Sequence, residues 1–345
     1  MDKLEQRKLG ASNVIVPPMG IGTMLWNSKK SKTKEDILQA YRSGLDNGVN
    51  FFDTAEMYSK GNSERMLAEC FEKDGRPIII SSKFAPPSSM IPMSPKRSTV
   101  PKKSPRALME ALDGSLKRLG IDCIDLYQIH APPSHNTIEE YMDVMAEAVN
   151  AGKVRAVGVC NFTASQLRKA HARLAEHDIP LATEMVGYNL LRRYPETNGV
   201  FKACRELNIT LIPYSPLSQG ILTGKYRNRK KKPSFVYRVL IYFGHLNIVK
   251  ERDDSRSFIR KLFSKPLELD DKKIEPLFTI LDEIAIAHDK TLAQVAINWL
   301  ITTEEICVIP IPGVRNLRQM NDNIGTLGWH LTKEERALIN KIEIN

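Results

Sequence analysis

The chain has 345 residues, 42% apolar and 26% charged, which is enough to bury a sizeable core and too apolar for an intrinsically disordered polypeptide. No apolar run approaches the ~18 residues that a membrane span needs, and five scattered cysteines without a CxxC pair argue against a disulfide framework or a structural zinc site. The formal charge of +10 sits in one segment: from Lys225 to Lys265 thirteen Lys or Arg face three acids, and the rest of the chain balances at 37 and 37. Nucleic-acid binding therefore does not follow from net charge.

In chain order, "QRKLGASNVIV" predicts a small hairpin, after which short β-rich runs alternate with longer helical patterns. The strand candidates are 16–23, 50–55, 77–83, 123–130, 154–162, 181–190, 210–217 and 306–313. The helical patterns are 36–47, 63–73, 104–118, 138–150, 163–175, 198–206, 272–288 and 315–325, with Ser63 and Thr163 read as caps. "LTKEERALINKIE" reads as one more helix at the C-terminus. Eight strands alternating with eight helices predict a single-domain (β/α)8 TIM barrel, residues 1–345, its base plugged by the hairpin and a long basic insertion at 226–265 following the seventh strand. A doubly wound nucleotide-binding sheet would want a GxGxxG turn after the first strand, and "PMGIGTML" does not supply it.

In a parallel βα barrel the C-terminal strand ends converge on one face. The second strand ends in Asp53 with Tyr58 in the following loop, the third in Lys83 and the fourth in His130. Each residue taken alone reads as a cap, a surface cation or a core imidazole. Together they make a proton-transfer set. An ordinary phenol titrates near ~10; a neighbouring ammonium favours the phenolate, a carboxylate holds the ammonium charged, and a histidine can orient a carbonyl oxygen. Such a set would protonate a carbonyl oxygen while a hydride arrives at its carbon.

"FFDTAEMYSKGNSE", "SLKRLGIDCIDLYQIH", "GKVRAVGVCNF", "IPYSPLSQGILTGKY" and "IPGVRNLRQMNDNIGTLGW" resemble the aldo-keto reductase superfamily, in the style of its plant, algal and bacterial members related to potassium-channel β-subunits. The resemblance runs from about residue 7 to residue 340, except for the basic insertion. It implies a catalytic tetrad of Asp53, Tyr58, Lys83 and His130, with Tyr58 as general acid, and NADPH as the cofactor. The matching cofactor positions are Gly22, Thr23 and Asp53; Cys160 and Asn161; Met185; Tyr214, Ser215, Pro216, Leu217 and Ser218; Lys225; and Gly313, Arg315, Gln319, Asp322 and Asn323. Tyr214 is implied to stack on nicotinamide, and Arg315 is a sensible partner for a 2′-phosphate because guanidinium binds phosphate as a bidentate fork. The family holds the nicotinamide carboxamide with serine, asparagine and glutamine; here Cys160 and Met185 stand at the serine and glutamine positions, and only Asn161 is kept. Thiol and thioether are weak hydrogen-bonding groups, so this pocket is expected to grip less firmly. Ser59 stands where the family has glycine.

The leading reading is an NADPH-dependent reductase acting on a small-molecule carbonyl. The second is a cofactor-sensing regulatory subunit with slow turnover. Metal and nucleic-acid partners are not expected, and the basic insertion reads as an apolar patch with solvated lysines lying over the catalytic face. The N-terminus lacks signal or transit character, so the expected compartment is the cytosol, or a plastid if a transit peptide has been removed.

Overall fold

A computed structural model describes residues 4–27, 31–87, 104–227 and 271–342, and most of the basic insertion, from 228 on, lies outside these. Strands β1 (Arg7–Lys8) and β2 (Ile15–Val16) pair antiparallel as the opening hairpin. Seven parallel strands then follow in one sheet, side by side in chain order: β3 (Ile21–Gly22), β4 (Phe51–Asp53), β5 (Ile79–Phe84), β6 (Ile124–Ile129), β7 (Val154–Cys160), β8 (Leu181–Gly187) and β9 (Thr210–Tyr214). Helices α1 (Ser31–Asp46), α2 (Asn62–Asp74), α3 (Ala107–Leu119), α4 (Ile138–Asn150), α5 (Ala164–Ala175) and α6 (Val200–Glu206) alternate with them. Beyond β9 come α7 (Asp271–Ala287), α8 (Leu292–Ile301), α9 (Leu317–Ile324) and α10 (Lys333–Asn340).

The eighth predicted strand closes the barrel as a half-made ladder. Toward β9, Leu211 donates to the Cys307 carbonyl at 2.9 Å and Ile309 to that of Leu211 at 2.9 Å; toward β3, Gly20 and Gly22 donate to Pro310 and Pro312, each at 3.0 Å. Pro310 and Pro312 have no N–H to return toward β3, so only one direction of that ladder forms. The (β/α)8 TIM barrel is therefore complete, with a proline-rich seam.

Strand alternation divides the apolar side chains into two clusters. Phe51, Leu126, Ala156, Met185, Ile212, Ile309 and Ile311 fill the barrel interior together with Leu9, Val14 and Val16 of the hairpin. Gly10 of the hairpin donates to Thr210 Oγ1 at 2.8 Å, at the start of β9, so the plug closes the N-terminal end. The larger cluster lies between strands and helices.

Three local readings are refined. Thr163 caps α5 in a reciprocal capping box with Gln166, as its sequence predicts. Ser63 does not cap α2: Gly61 holds that position, and the Ser63 hydroxyl donates to the Thr23 carbonyl at 2.8 Å, tying α2 to the loop after β3. The sequence also gave no sign of α8. From Ala293 to Ile301 every residue but Gln294 is buried, so the segment has almost no polar face for helical periodicity to show. Among the described residues no helix is long and apolar enough to cross a membrane.

Candidate active site

Asp53, Lys83 and His130 reach the C-terminal mouth from the ends of β4, β5 and β6, and Tyr58 opens a 3₁₀ turn, Tyr58–Gly61, directly after β4. Lys83 Nζ lies 2.7 Å from both Asp53 carboxylate oxygens and donates to the Thr54 carbonyl at 2.7 Å. All three ammonium protons are thereby placed, and both side chains are buried. The ammonium stands 5.1 Å from the centre of the Tyr58 ring, and His130 meets that ring edge-on at 5.6 Å. The four residues predicted from separate stretches of sequence share one site.

Beneath them runs a polar chain that the sequence reading did not name. Ser81 donates to Asp53 Oδ1 at 2.8 Å, Gln128 Nε2 to Ser81 Oγ at 2.8 Å, and Thr183 Oγ1 to Gln128 Oε1 at 3.3 Å. Ser81 and Gln128 stand two residues before Lys83 and His130, so the period-2 rule places them on the same interior face. That spacing is the signal that could have found them.

Burial opposes charge throughout the site. It is the largest single effect on the Lys83 ammonium and pulls it down, but the Asp53 carboxylate in contact with it, joined by Tyr58 and Cys160, outweighs this, and Lys83 is held charged. Burial likewise pushes the Asp53 carboxyl up against the pull of Lys83; the bidentate contact and the Ser81 bond favour the ionised pair. Tyr58 departs from expectation. Lys83 does favour its phenolate, yet burial is the larger effect, with Asp53 and Cys160 adding to it, and the phenol is pushed up to about 12. Burial and the Lys83 charge lower His130 to about 3, so its imidazole is neutral at physiological pH. Its Nδ1 is buried without a partner.

The remaining predicted positions flank this mouth. Thr23 Oγ1 donates to the Asp53 carbonyl at 2.9 Å, which fixes the loop after Gly22 against β4. Cys160 and Met185 are both buried in the interior cluster. The Cys160 thiol, raised well above its ordinary range by burial, points to Gln128 Oε1 at 3.8 Å. Asn161, in the left-handed region at φ 60°, accepts from Tyr214 Oη at 2.9 Å. The turn after β9 is tied to β8 by Asn189 Nδ2, which donates to the Ser215 carbonyl at 2.9 Å. Ser215, Ser218, Gln219 and Gly220 all have positive φ, a run that folds the loop of Pro216 and Leu217 into a compact turn. At Gly220 a Cβ would meet Lys225 Nζ at 2.4 Å, so glycine lets the cation lie on the turn.

At the far end, Gly313 and Arg315 are exposed, and Arg315 N–H donates to Gln319 Oε1 at 2.9 Å. Asp322 Oδ1 accepts from Thr291 at 2.8 Å, which anchors α9 to α8. Asn323 is 4% exposed, and its Nδ2 has no partner.

Fold and site together define a βα-barrel protein with a cluster of Tyr58, Lys83, Asp53 and His130 at its mouth, built on a buried Lys–Asp pair. The model of the aldo/keto reductase family matches residues 18–344, and the chain belongs to that family. It is similar to a chloroplastic pyridoxal reductase of Arabidopsis thaliana, 32% identical over 96% of this chain and 84% of that protein. It is also similar to the NADP(+) aldo-keto reductase yakc of Schizosaccharomyces pombe, 32% identical over 98% of this chain and 92% of that one. The structure of a glycerol dehydrogenase from Gluconobacter oxydans superposes with a TM-score of 0.76 at 22% identity, covering 99% of this chain and 95% of that one, which shows a common fold.

Proposed function

We propose that the protein reduces aldehydes or ketones with NADPH, Tyr58 donating the proton to the carbonyl oxygen. One observation carries this reading: the Lys83 ammonium is fixed by three acceptors with its charge facing the Tyr58 ring at 5.1 Å. Bound cofactor would supply the hydride. Tyr58, protonated at neutral pH, is the proton source, and as the phenol loses its proton the ammonium stabilises the phenolate. Neutral His130 orients the carbonyl oxygen without competing for that proton.

The residues present fit an extended dinucleotide. His130 Nδ1 and Asn323 Nδ2 are unpaired polar groups at the two ends of the predicted set, and Lys225 lies over the turn at Gly220. Met24 and Leu25, 38% and 41% exposed just after β3, offer an apolar surface beside the mouth. Pyridoxal heads the substrates to assay, on the strength of the named Arabidopsis relative. All five cysteines are free, in keeping with a reducing compartment such as cytosol or plastid stroma. Single-turnover oxidation of bound NADPH by a carbonyl panel tests the reading. Rates no faster than spontaneous NADPH decay across the panel would overturn it, and slow single turnovers would favour the regulatory subunit.

Two further results are expected. With His130 at about 3 and Tyr58 at about 12, neither changes state between roughly pH 5 and 9. The chemical step of reduction should be flat over that range, whereas alcohol oxidation, which needs the phenolate, should rise with pH; a transient-kinetic pH series checks both. NADPH should bind more tightly than NADH, and Arg315→Ala should narrow the gap by roughly tenfold, the loss of one charge-assisted contact. Fluorescence titrations giving equal wild-type affinities would remove Arg315 from this role.

A further inference from the structure

Arg192 has no place in the proton-transfer site, yet it lies at the same mouth in an unusual condition. It is 7% exposed, and its Nε and Nη2 are buried with no hydrogen-bond partner. Nη1 occupies the space that a Cβ on Gly187 would take, 2.1 Å from that position. Gly187 ends β8 and shares a strand face with Met185, which lines the barrel interior. The guanidinium is therefore seated over the interior at the rim, in room that only a glycine leaves.

Its neighbours are rings. The guanidinium carbon lies 5.7 Å from the centre of Tyr194 and 6.0 Å from that of Tyr214, at the outer limit of cation–π attraction. The nearby acids are engaged or face elsewhere. Glu196 is held by Arg193 and Tyr188, and Asp53 by Lys83. Glu184 stands on the opposite strand face, where it accepts from the Phe162 amide at 3.0 Å. Among the described residues no carboxylate pairs with Arg192. The loop that carries it is firm: Arg192 and Asn189 exchange both backbone hydrogen bonds, at 2.8 and 3.2 Å, and Asn189 grips Ser215.

A buried cation without an anion is costly, and an anion brought by a ligand would relieve that cost. The two unpaired donors, Nε and Nη2, form the edge of guanidinium that meets two oxygens of a carboxylate or phosphate side by side. We propose that Arg192 is an anion-recognition residue at the barrel mouth, its Nε–Nη2 edge taking a phosphate or carboxylate group of a bound ligand. Two sources have this chemistry: the diphosphate of the dinucleotide, and an acidic group on the carbonyl substrate. The proposal rests on the reductase reading for the identity of those ligands.

The test compares wild type with Arg192→Met, which keeps the length and removes the fork, and with Arg192→Lys, which keeps the charge alone. Three titrations are made at one salt concentration: NADPH; adenosine 2′-monophosphate, which carries no part of the diphosphate; and, in steady-state kinetics, 4-carboxybenzaldehyde against its neutral methyl ester. If the cofactor is the source, Arg192→Met weakens NADPH by about ten- to a hundredfold and leaves the monophosphate unchanged. If the substrate is the source, KM for the carboxylate aldehyde rises by a similar factor while that for the ester holds. Arg192→Lys should recover part of either loss. Should Arg192→Met fail to fold, Gly187→Ala displaces the fork by its added methyl and should give the same pattern. Equal losses for NADPH and the monophosphate, or no loss in any anionic arm, overturn the proposal. A wild type that binds neither nucleotide would instead sink the reductase reading.

Discussion

Tyr58→Phe is expected to slow the chemical step of carbonyl reduction by at least about a hundredfold, the usual contribution of a positioned general acid. That is roughly 2.7 kcal/mol of transition-state stabilisation. The substitution removes one oxygen and little else. Phenylalanine keeps the edge-on contact with His130 and the ring facing the Lys83 ammonium, so the turn Tyr58–Gly61 should hold its shape. NADPH affinity should stay within a few-fold of wild type, because the change strips a proton from the mouth and leaves the long cofactor surface alone. The residual rate should be limited by protonation from water and remain independent of pH between roughly 5 and 9. The decisive measurement is the single-turnover rate at saturating NADPH. A variant within a few-fold of wild type would show that another group delivers the proton.

The barrel was legible because parallel strands buried on both faces read as apolar runs, and each of those that mattered stopped on a polar residue at the face where such barrels collect function. Asp53, Lys83 and His130 gave themselves away by position, and Ser81 and Gln128 could have been added by counting back two residues. Other features depend on what is adjacent in space. The helix at Leu292–Ile301 is buried except at Leu292 and Gln294 and so has almost no polar face to betray it. Pro310 and Pro312 lie inside a stretch that reads as a strand, yet on the β3 side the barrel closes through their carbonyls alone. Arg192 sits beside Arg193 in "NLLRRYPE", a stretch that carries no motif to single it out. Nothing local says that Gly187, five residues earlier, leaves the space into which its guanidinium turns. The phenol of Tyr58 shows the limit for electrostatics. Sequence supplied the ammonium that favours its ionisation, but the opposing cost of burial is set by every element around the mouth, and burial is the larger of the two.

Lys83→Met should be the most damaging single change, because it acts on chemistry and on folding together. Among the described residues the ammonium is the only cation in contact with the Asp53 carboxylate, which is 2% exposed. Removing one partner of a buried pair leaves a charge that must be desolvated alone, at a cost of about 3–5 kcal/mol at neutral pH. For a chain of this length that corresponds to a fall in Tm of roughly 5 °C. The sign of the pH dependence identifies the cause. Without Lys83, burial raises the Asp53 carboxyl with only the Ser81 hydrogen bond opposing it. A carboxyl whose folded pKa lies above its unfolded value binds its proton more tightly when folded. Its contribution to stability is then complete below the unfolded pKa and is lost as pH rises through the folded one. The stability gap between Lys83→Met and wild type should therefore shrink as pH falls from 7 toward 4. The mutation should also remove the cation that stabilises the Tyr58 phenolate, so the chemical step should slow by at least the hundredfold expected for Tyr58→Phe. Lys83→Met with Asp53→Asn, which replaces the lone carboxylate by a neutral amide, should recover much of the lost stability at pH 7 and none of the rate. Calorimetric melts across pH, paired with single-turnover rates, separate the two effects. A stability gap that stays constant or widens on acidification would mean that Asp53 is not left charged, and that the barrel tolerates the loss of this pair by rearranging around it.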